Sequence, residues 1–233
     1  MAASRRGWPR ARAAGSGGGV GESRRPVTGA ALPAASGLVL AGGRSSRFGR
    51  NKLAEPLGGR PLLAHAVTAV GSVAREVIVL LPPVGDPPTL PRTVGADRIP
   101  VRIVRDPEPF GGPLVALLAG LERSREPMAL VAAGDMPGLA GPVLAALLRA
   151  LDASDDVDAA VLAFRGRRQP LPAALRVGAA TTAARRLLGE GERSILALLR
   201  GLRTRELAEG EWRPLDPTAA TLHDVDVPGD LQA

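Results

Sequence analysis

Short, nearly continuous apolar runs alternate along this chain with stretches of helical periodicity. The runs cover residues 36–41, 76–81, 101–104, 128–133 and 158–164, lengths suited to strands covered on both faces. Between and after them, residues 61–73, 113–125, 142–151 and 178–188 read as helices. Pro61, Pro113 and Pro142 stand where a helix begins, a place that tolerates proline because the first N–H groups have no intrahelical acceptor. This βαβα order predicts an α/β protein, a three-layer α/β/α sandwich around a mostly parallel sheet. Ligands of such sheets lie beyond the carboxyl ends of the strands, so functional residues are expected just after strands.

The first run ends at Gly42-Gly43, where the chain must turn and expose backbone N–H groups, and Arg44, Arg47, Arg50 and Lys52 follow within ten residues. Backbone donors and cations in one loop point to an anion, here a polyphosphate. Lys52 is the only lysine in 233 residues, against 29 arginines. Ammonium is a compact point charge and guanidinium a wide planar fork, so a lysine spared by such a bias marks a place where a small cation must reach between oxygens. The loop is not a P-loop, because Lys52 is followed by Leu53 and no helix signal appears before Arg60-Pro61. Nor do Gly42, Gly43 and Gly49 give the G-x-G-x-x-G dinucleotide pattern.

A second constellation, Gly134-Asp135-Met136-Pro137, follows the run at 128–133. A carboxylate at a buried strand's end, preceded by a glycine that lets a ligand approach and followed by a proline-fixed turn, is placed to hold a hard cation. Asp135 is too far ahead of the helix near Gly141-Pro142 to be its cap. Asp106 closes the run at 101–104 and precedes a loop rich in proline and glycine, where a turn aspartate is the ordinary reading. The segment Arg165-Gly-Arg-Arg-Gln-Pro-Leu171 reads as a solvated basic loop. Asp152, Asp155, Asp156 and Asp158 lack the glycine and terminal glutamate of an EF-hand and read as a solvent-facing connection.

Composition removes several classes of function. With no cysteine, disulfides, thiolate zinc sites and thiol catalysis are excluded, and two distant histidines, His65 and His223, argue against a histidine-rich metal site. The apolar runs are too short for a membrane span, so a soluble, cytoplasmic protein without a membrane partner is expected. Three Phe, two Trp and no Tyr leave little for base stacking, so no nucleic-acid partner is expected either. Residues 1–35 hold six arginines and one acid and have no periodicity. They read as a disordered basic extension ahead of a single domain over 36–233.

Leu40-Ala41-Gly42-Gly43 with Arg47-Phe48-Gly49, then Lys52, then Gly58-Gly59-Arg60-Pro61-Leu62, resembles the signature of the MobA-like nucleotidyltransferases, and the resemblance runs from about residue 36 to 232. It implies the Rossmann-like nucleotide-diphospho-sugar transferase fold. It also implies Mg2+-dependent transfer of a nucleoside monophosphate from GTP to molybdopterin, releasing pyrophosphate, with a molybdoenzyme or its chaperone as a further partner. By the resemblance, Leu40, Ala41, Gly42, Gly43, Lys52, Asp106 and Asp135 bind the nucleotide, Asp135 holds the metal, and Lys52 and Arg47 balance the charge developing on pyrophosphate. In Thr221-Leu-His-Asp-Val-Asp-Val-Pro-Gly-Asp-Leu231, which resembles the family's closing motif, Asp226 is a second metal ligand or binds the acceptor, if that segment returns as a strand beside the first. Asp224 alternates with it. An ordinary strand end is the competing reading. Gln169 and the arginines around it match a segment ahead of a strand, where they would meet the acceptor. Rival readings are a cytidylyltransferase of the same cofactor, a nucleotidyltransferase for a sugar phosphate or other phosphorylated metabolite, and a non-catalytic nucleotide-binding protein. Leu80-Leu-Pro-Pro83 stands where many guanylyltransferases of the family place an asparagine.

Because the removed segment carries no apolar pattern, deleting residues 1–34 is expected to leave folding and turnover intact. A truncation that gives a normal thermal melt but no activity would contradict this.

Overall fold

The structure, a computed structural model, describes residues 31–42, 51–85, 88–105 and 111–225. Gly43, Arg47, Asp106 and Asp226 lie outside them, as do residues 1–30 of the basic extension; its last residue, Ala35, is the first of β1. In chain order the elements are β1 (Ala35–Leu40), β2 (Pro56–Leu57), β3 (Arg60–Pro61), α1 (Leu62–Gly71), β4 (Glu76–Leu81), β5 (Thr93–Val94), β6 (Ile99–Arg105) and α2 (Pro113–Leu121). There follow β7 (Met128–Ala133), α3 (Gly141–Asp152), β8 (Ala159–Phe164), β9 (Arg167–Arg176), α4 (Val177–Gly189), α5 (Ile195–Arg200), β10 (Thr204–Leu207) and α6 (Glu209–Trp212). Eight strands form one sheet in the order β10-β8-β9-β7-β1-β4-β6-β5, and β2 and β3 form a separate hairpin. The pairs β1–β4, β1–β7, β4–β6 and β8–β10 are parallel.

The core explains why the central runs are apolar throughout. In β1, β4 and β7 successive side chains point to opposite faces. Val39, Val77, Val79 and Leu130 pack with α1 and α3, whereas Leu38, Ile78, Leu80 and Val131 pack with α2, α4 and α5. With helices on both faces, no position of these strands is left to water. The three-layer architecture expected from the sequence is the one observed.

Three differences have local causes. Residues 165–171 are not a solvated loop: Arg165 and Gly166 form a tight turn at φ 51° and 70°, and the chain returns as β9, antiparallel to both β7 and β8. An arginine in a left-handed conformation and two prolines in the strand hid this hairpin, whose register slips near Ala163. At Lys52–Ala54 a short 3-10 turn forms where no helix signal was read. The third difference is near the C-terminus, where Ala220–Leu222 form a 3-10 turn at the start of the segment read as a possible strand; its residues 226–231 lie outside the described residues.

At the amino ends of β1, β4 and β7 the sheet closes over a charged cluster. Glu76, 4% exposed, accepts from Ser36 Oγ (2.8 Å) and Arg125 N (3.0 Å) and pairs with Arg102 at 2.6 Å. Burial alone would push this carboxyl up. The Ser36, Arg102 and Arg125 hydrogen bonds, with the Arg102 charge, outweigh it and hold the pKa below its ordinary 4.5.

A lowered folded pKa means that Glu76 stabilises fully above about pH 4.5 and that the contribution fades as pH falls through the lower folded value. Glu76→Gln is expected to cost about 1–3 kcal/mol at pH 7 and to flatten the acid limb of the melting-temperature profile. Parallel acid limbs for the two proteins would show that the cluster does not titrate with folding.

Candidate active site at the carboxyl ends of the central strands

The parallel register sets Leu40 beside both Leu80 and Ala133, so β1, β4 and β7 end at one edge of the sheet. Ala41 N donates to Leu80 O and Gly134 N to Leu40 O, each at 2.8 Å. These bonds carry the register one residue past the strands. A side chain on Gly134 would begin 2.7 Å from Leu63 Cδ1 and 3.3 Å from Leu40 O. Glycine is thus called for there by the protein's own packing, a reason the sequence does not show. Leu40 and Ala41 are buried and Gly42 is exposed, so the first two reach a ligand only through their backbones, and the Ala41 N–H is already taken.

Lys52 is positioned by its neighbours. Asn51 Oδ1 accepts from Leu53 N at 3.2 Å, and Leu53 is buried in the core. From the turn so fixed, Lys52 Nζ lies 2.7 Å from Asp135 Oδ2 and 2.9 Å from Val225 O, and the two charged side chains are 17% and 22% exposed. A third contact joins the same elements, as Val225 N donates to Asp135 O at 2.9 Å. Thus the chain's only lysine, 83 positions from Asp135 in sequence, sits between a carboxylate and a carbonyl brought in from two other parts of the fold. One ammonium carries three donors on a single atom and can serve several oxygens at once; a guanidinium spreads its donors over a plane.

Residues 37–207 match the MobA-like NTP transferase domain. The chain belongs to this family. A protein of Chloroflexus aggregans named as a probable molybdenum cofactor guanylyltransferase is 34% identical over 200 residues, covering 84% of this chain and 91% of its own. A protein of the same name from Mycobacterium bovis is 35% identical, covering 83% and 94%. The molybdenum cofactor guanylyltransferase of Burkholderia lata is 35% identical, covering 72% and 82%. Among solved structures, molybdopterin-guanine dinucleotide biosynthesis protein A of Archaeoglobus fulgidus superposes with a TM-score of 0.67 at 21% identity, covering 84% and 95%. The 2-C-methyl-D-erythritol 4-phosphate cytidylyltransferase of Thermus thermophilus gives 0.60 at 20% identity, covering 84% and 94%. The nucleotide-diphospho-sugar transferase fold implied by the sequence is thereby borne out.

Against this MobA-like frame, the structure brings together Leu40, Ala41, Gly42, Lys52 and Asp135; Gly43, Arg47, Asp106 and Asp226 lie outside the described residues. Among the described residues no three Asp, Glu or His side chains stand together as a ready-made metal cage. A part-exposed Asp135 carboxylate at the head of β7 fits Mg2+ nonetheless, because that ion is commonly held by one or two carboxylates with phosphate oxygens and water as the remaining ligands. Asp224 is exposed in the irregular segment after the last 3-10 turn. Arg168 is committed to Glu206 at 2.7 Å and Leu199 O at 3.0 Å, and Gln169 Nε2 donates to Arg167 O at 3.1 Å. The part of the site that sequence reading missed is the Val225 carbonyl, since a backbone acceptor leaves no trace in residue type.

Lys52→Arg tests the geometry. It is expected to lower kcat/KM for the nucleoside triphosphate nearly as much as Lys52→Ala, by tenfold or more, equivalent to about 1.4 kcal/mol of transition-state stabilisation. An arginine variant close to wild type, beside a severely impaired alanine variant, would mean that charge alone matters.

Proposed function

We propose that this protein transfers the guanosine monophosphate portion of GTP to the phosphate of molybdopterin in the cytoplasm, releasing pyrophosphate. The observation that carries the reading is the Lys52–Asp135 pair at the carboxyl edge of the sheet in a chain of a family of NTP transferases. The names of the relatives from Chloroflexus, Mycobacterium and Burkholderia support the base and the acceptor.

The chemistry asks little of a general base. The acceptor is a phosphate monoester, anionic near neutral pH. One of its oxygens forms the new bond to the α-phosphorus as the bond to the β-phosphate oxygen breaks, and that oxygen leaves with pyrophosphate. The protein's task is alignment and neutralisation of charge. Lys52 would exchange its carboxylate and carbonyl partners for phosphate oxygens, and Gly42 would offer its backbone N–H to the triphosphate. Mg2+, with Asp135 as a ligand, would supply positive charge across the phosphates. Arg47, Gly43, Asp106 and Asp226 complete the proposed set, Asp226 as second metal ligand or acceptor contact.

The test is pyrophosphate release by the purified protein with GTP or CTP, offered molybdopterin or a panel of sugar phosphates, in Mg2+. Release with GTP and molybdopterin alone is the expected result. Transfer from CTP or to a sugar phosphate would replace this reading with the corresponding rival, and nucleotide binding without release would make the protein a non-catalytic relative. Asp135→Asn is expected to melt normally and to lose about a hundredfold to a thousandfold in kcat, because an amide does not neutralise a divalent cation. Near-normal turnover in that variant would move the metal elsewhere.

A further inference from the structure

The family match ends at residue 207, yet the chain beyond it is tied firmly to the site. Trp212, fully buried, anchors the start of this tail: its Nε1 donates to Ala163 O at 3.0 Å, and its ring meets Phe164 edge-on at 6.0 Å. Four residues later comes Asp216, a carboxylate in a residue only 6% exposed. It accepts from Thr221 N at 2.8 Å, Thr218 Oγ1 at 3.1 Å and Ala220 N at 3.2 Å. Burial would push this carboxyl up, but the Thr221 backbone bond and the other donors hold it below the usual range. The ionised carboxylate is therefore the hub of the turn, which includes Ala219 in a left-handed conformation at φ 57°.

What the turn touches is the loop that carries Asp135. Thr221, fully buried, accepts from Ala140 N through Oγ1 at 3.0 Å. Gly138 lies so close to the turn that a side chain there would begin 2.5 Å from Ala220 O. Val225, four residues on, bonds Asp135 O through its N–H and Lys52 Nζ through its carbonyl. Both ends of the segment from Asp135 to Ala140 are thus clamped by residues that leave the Asp216 turn.

We propose that Asp216 is a positioning residue of the active site, setting through its turn the places of Asp135 and Lys52 without touching either. This rests on the reading of those two residues given above. Asparagine in its place keeps the shape but loses the charge and turns one acceptor into a donor facing N–H and hydroxyl donors.

Because Lys52 is the only lysine, the full-length chain labelled with 13C at lysine Cε gives one side-chain resonance that reports on Lys52 directly. In Asp216→Asn this resonance is expected to move toward the position of free lysine, and kcat/KM to fall at least tenfold. Thr221→Val, which removes the acceptor of Ala140 N together with a hydroxyl that hydrogen-bonds Asp216, is expected to move it in the same direction and carries the test if Asp216→Asn does not fold. Glu76→Gln, destabilised at the opposite end of the sheet, is the control and is expected to leave the resonance in place. The proposal is overturned if the resonance stays put in folded Asp216→Asn and Thr221→Val, or if Glu76→Gln moves it as far. Movement in the first two variants of a protein that turns over no nucleoside triphosphate would support the positioning role and remove only the proposed function.

Discussion

The pairing of β1 with β4 on one side and β7 on the other, all three parallel, is the constraint on which the rest depends. Parallel pairing brings three strand ends to one edge. The two hydrogen bonds that continue the register past that edge fix where the loops after β1 and β7 begin. Because helices cover both faces, the edge is where polar residues can collect without being buried in the core. Asp135 leaves the head of β7 at that point, and the chain after β1 returns Lys52 to it.

Two carboxylates at opposite ends of the same sheet show how surroundings separate a structural charge from one proposed to work. Glu76 is almost fully buried and receives donors from Ser36, Arg102 and Arg125, so its oxygens are committed and its ionised form is locked in. Asp135 is part-exposed, and its carboxylate meets the Lys52 ammonium. A charge satisfied by several rigid donors holds a fold together; one balanced by an ammonium on a long stem near the water edge can trade that partner for another. Asp216 belongs with Glu76 in this respect, although the turn it organises ends at Asp135.

Much of this was legible in the residues themselves. Continuous apolar runs announced covered strands, and prolines at helix starts marked α2 and α3. Ala41-Gly42 and Gly134-Asp135 stood just after strands, where a parallel sheet presents its ligands. Other features were opaque for physical reasons. Arg165 adopts a turn conformation that its residue type disfavours, so the β8–β9 hairpin was unreadable. Asp216-Pro217 signals a turn, but not what that turn holds. The packing of Leu63 against Gly134 was also unreadable, because a glycine in sequence does not say which neighbour comes close to it.

The sequence by itself determined the layer architecture, the family and the two charged residues at its centre. The architecture follows from local periodicity, the two residues from turn chemistry and a single lysine in an arginine-rich chain, and the family from the resemblance of the motifs between Leu40 and Leu62 to its signature. Only the tertiary structure decided that Lys52 and Asp135 face each other and that the Val225 carbonyl completes the contact. It also decided that a buried aspartate outside the family's matched span stands behind the arrangement. The reason is that these relations are distances between segments far apart in the chain, set by strand register and by backbone hydrogen bonds, and backbone groups are the same in every residue.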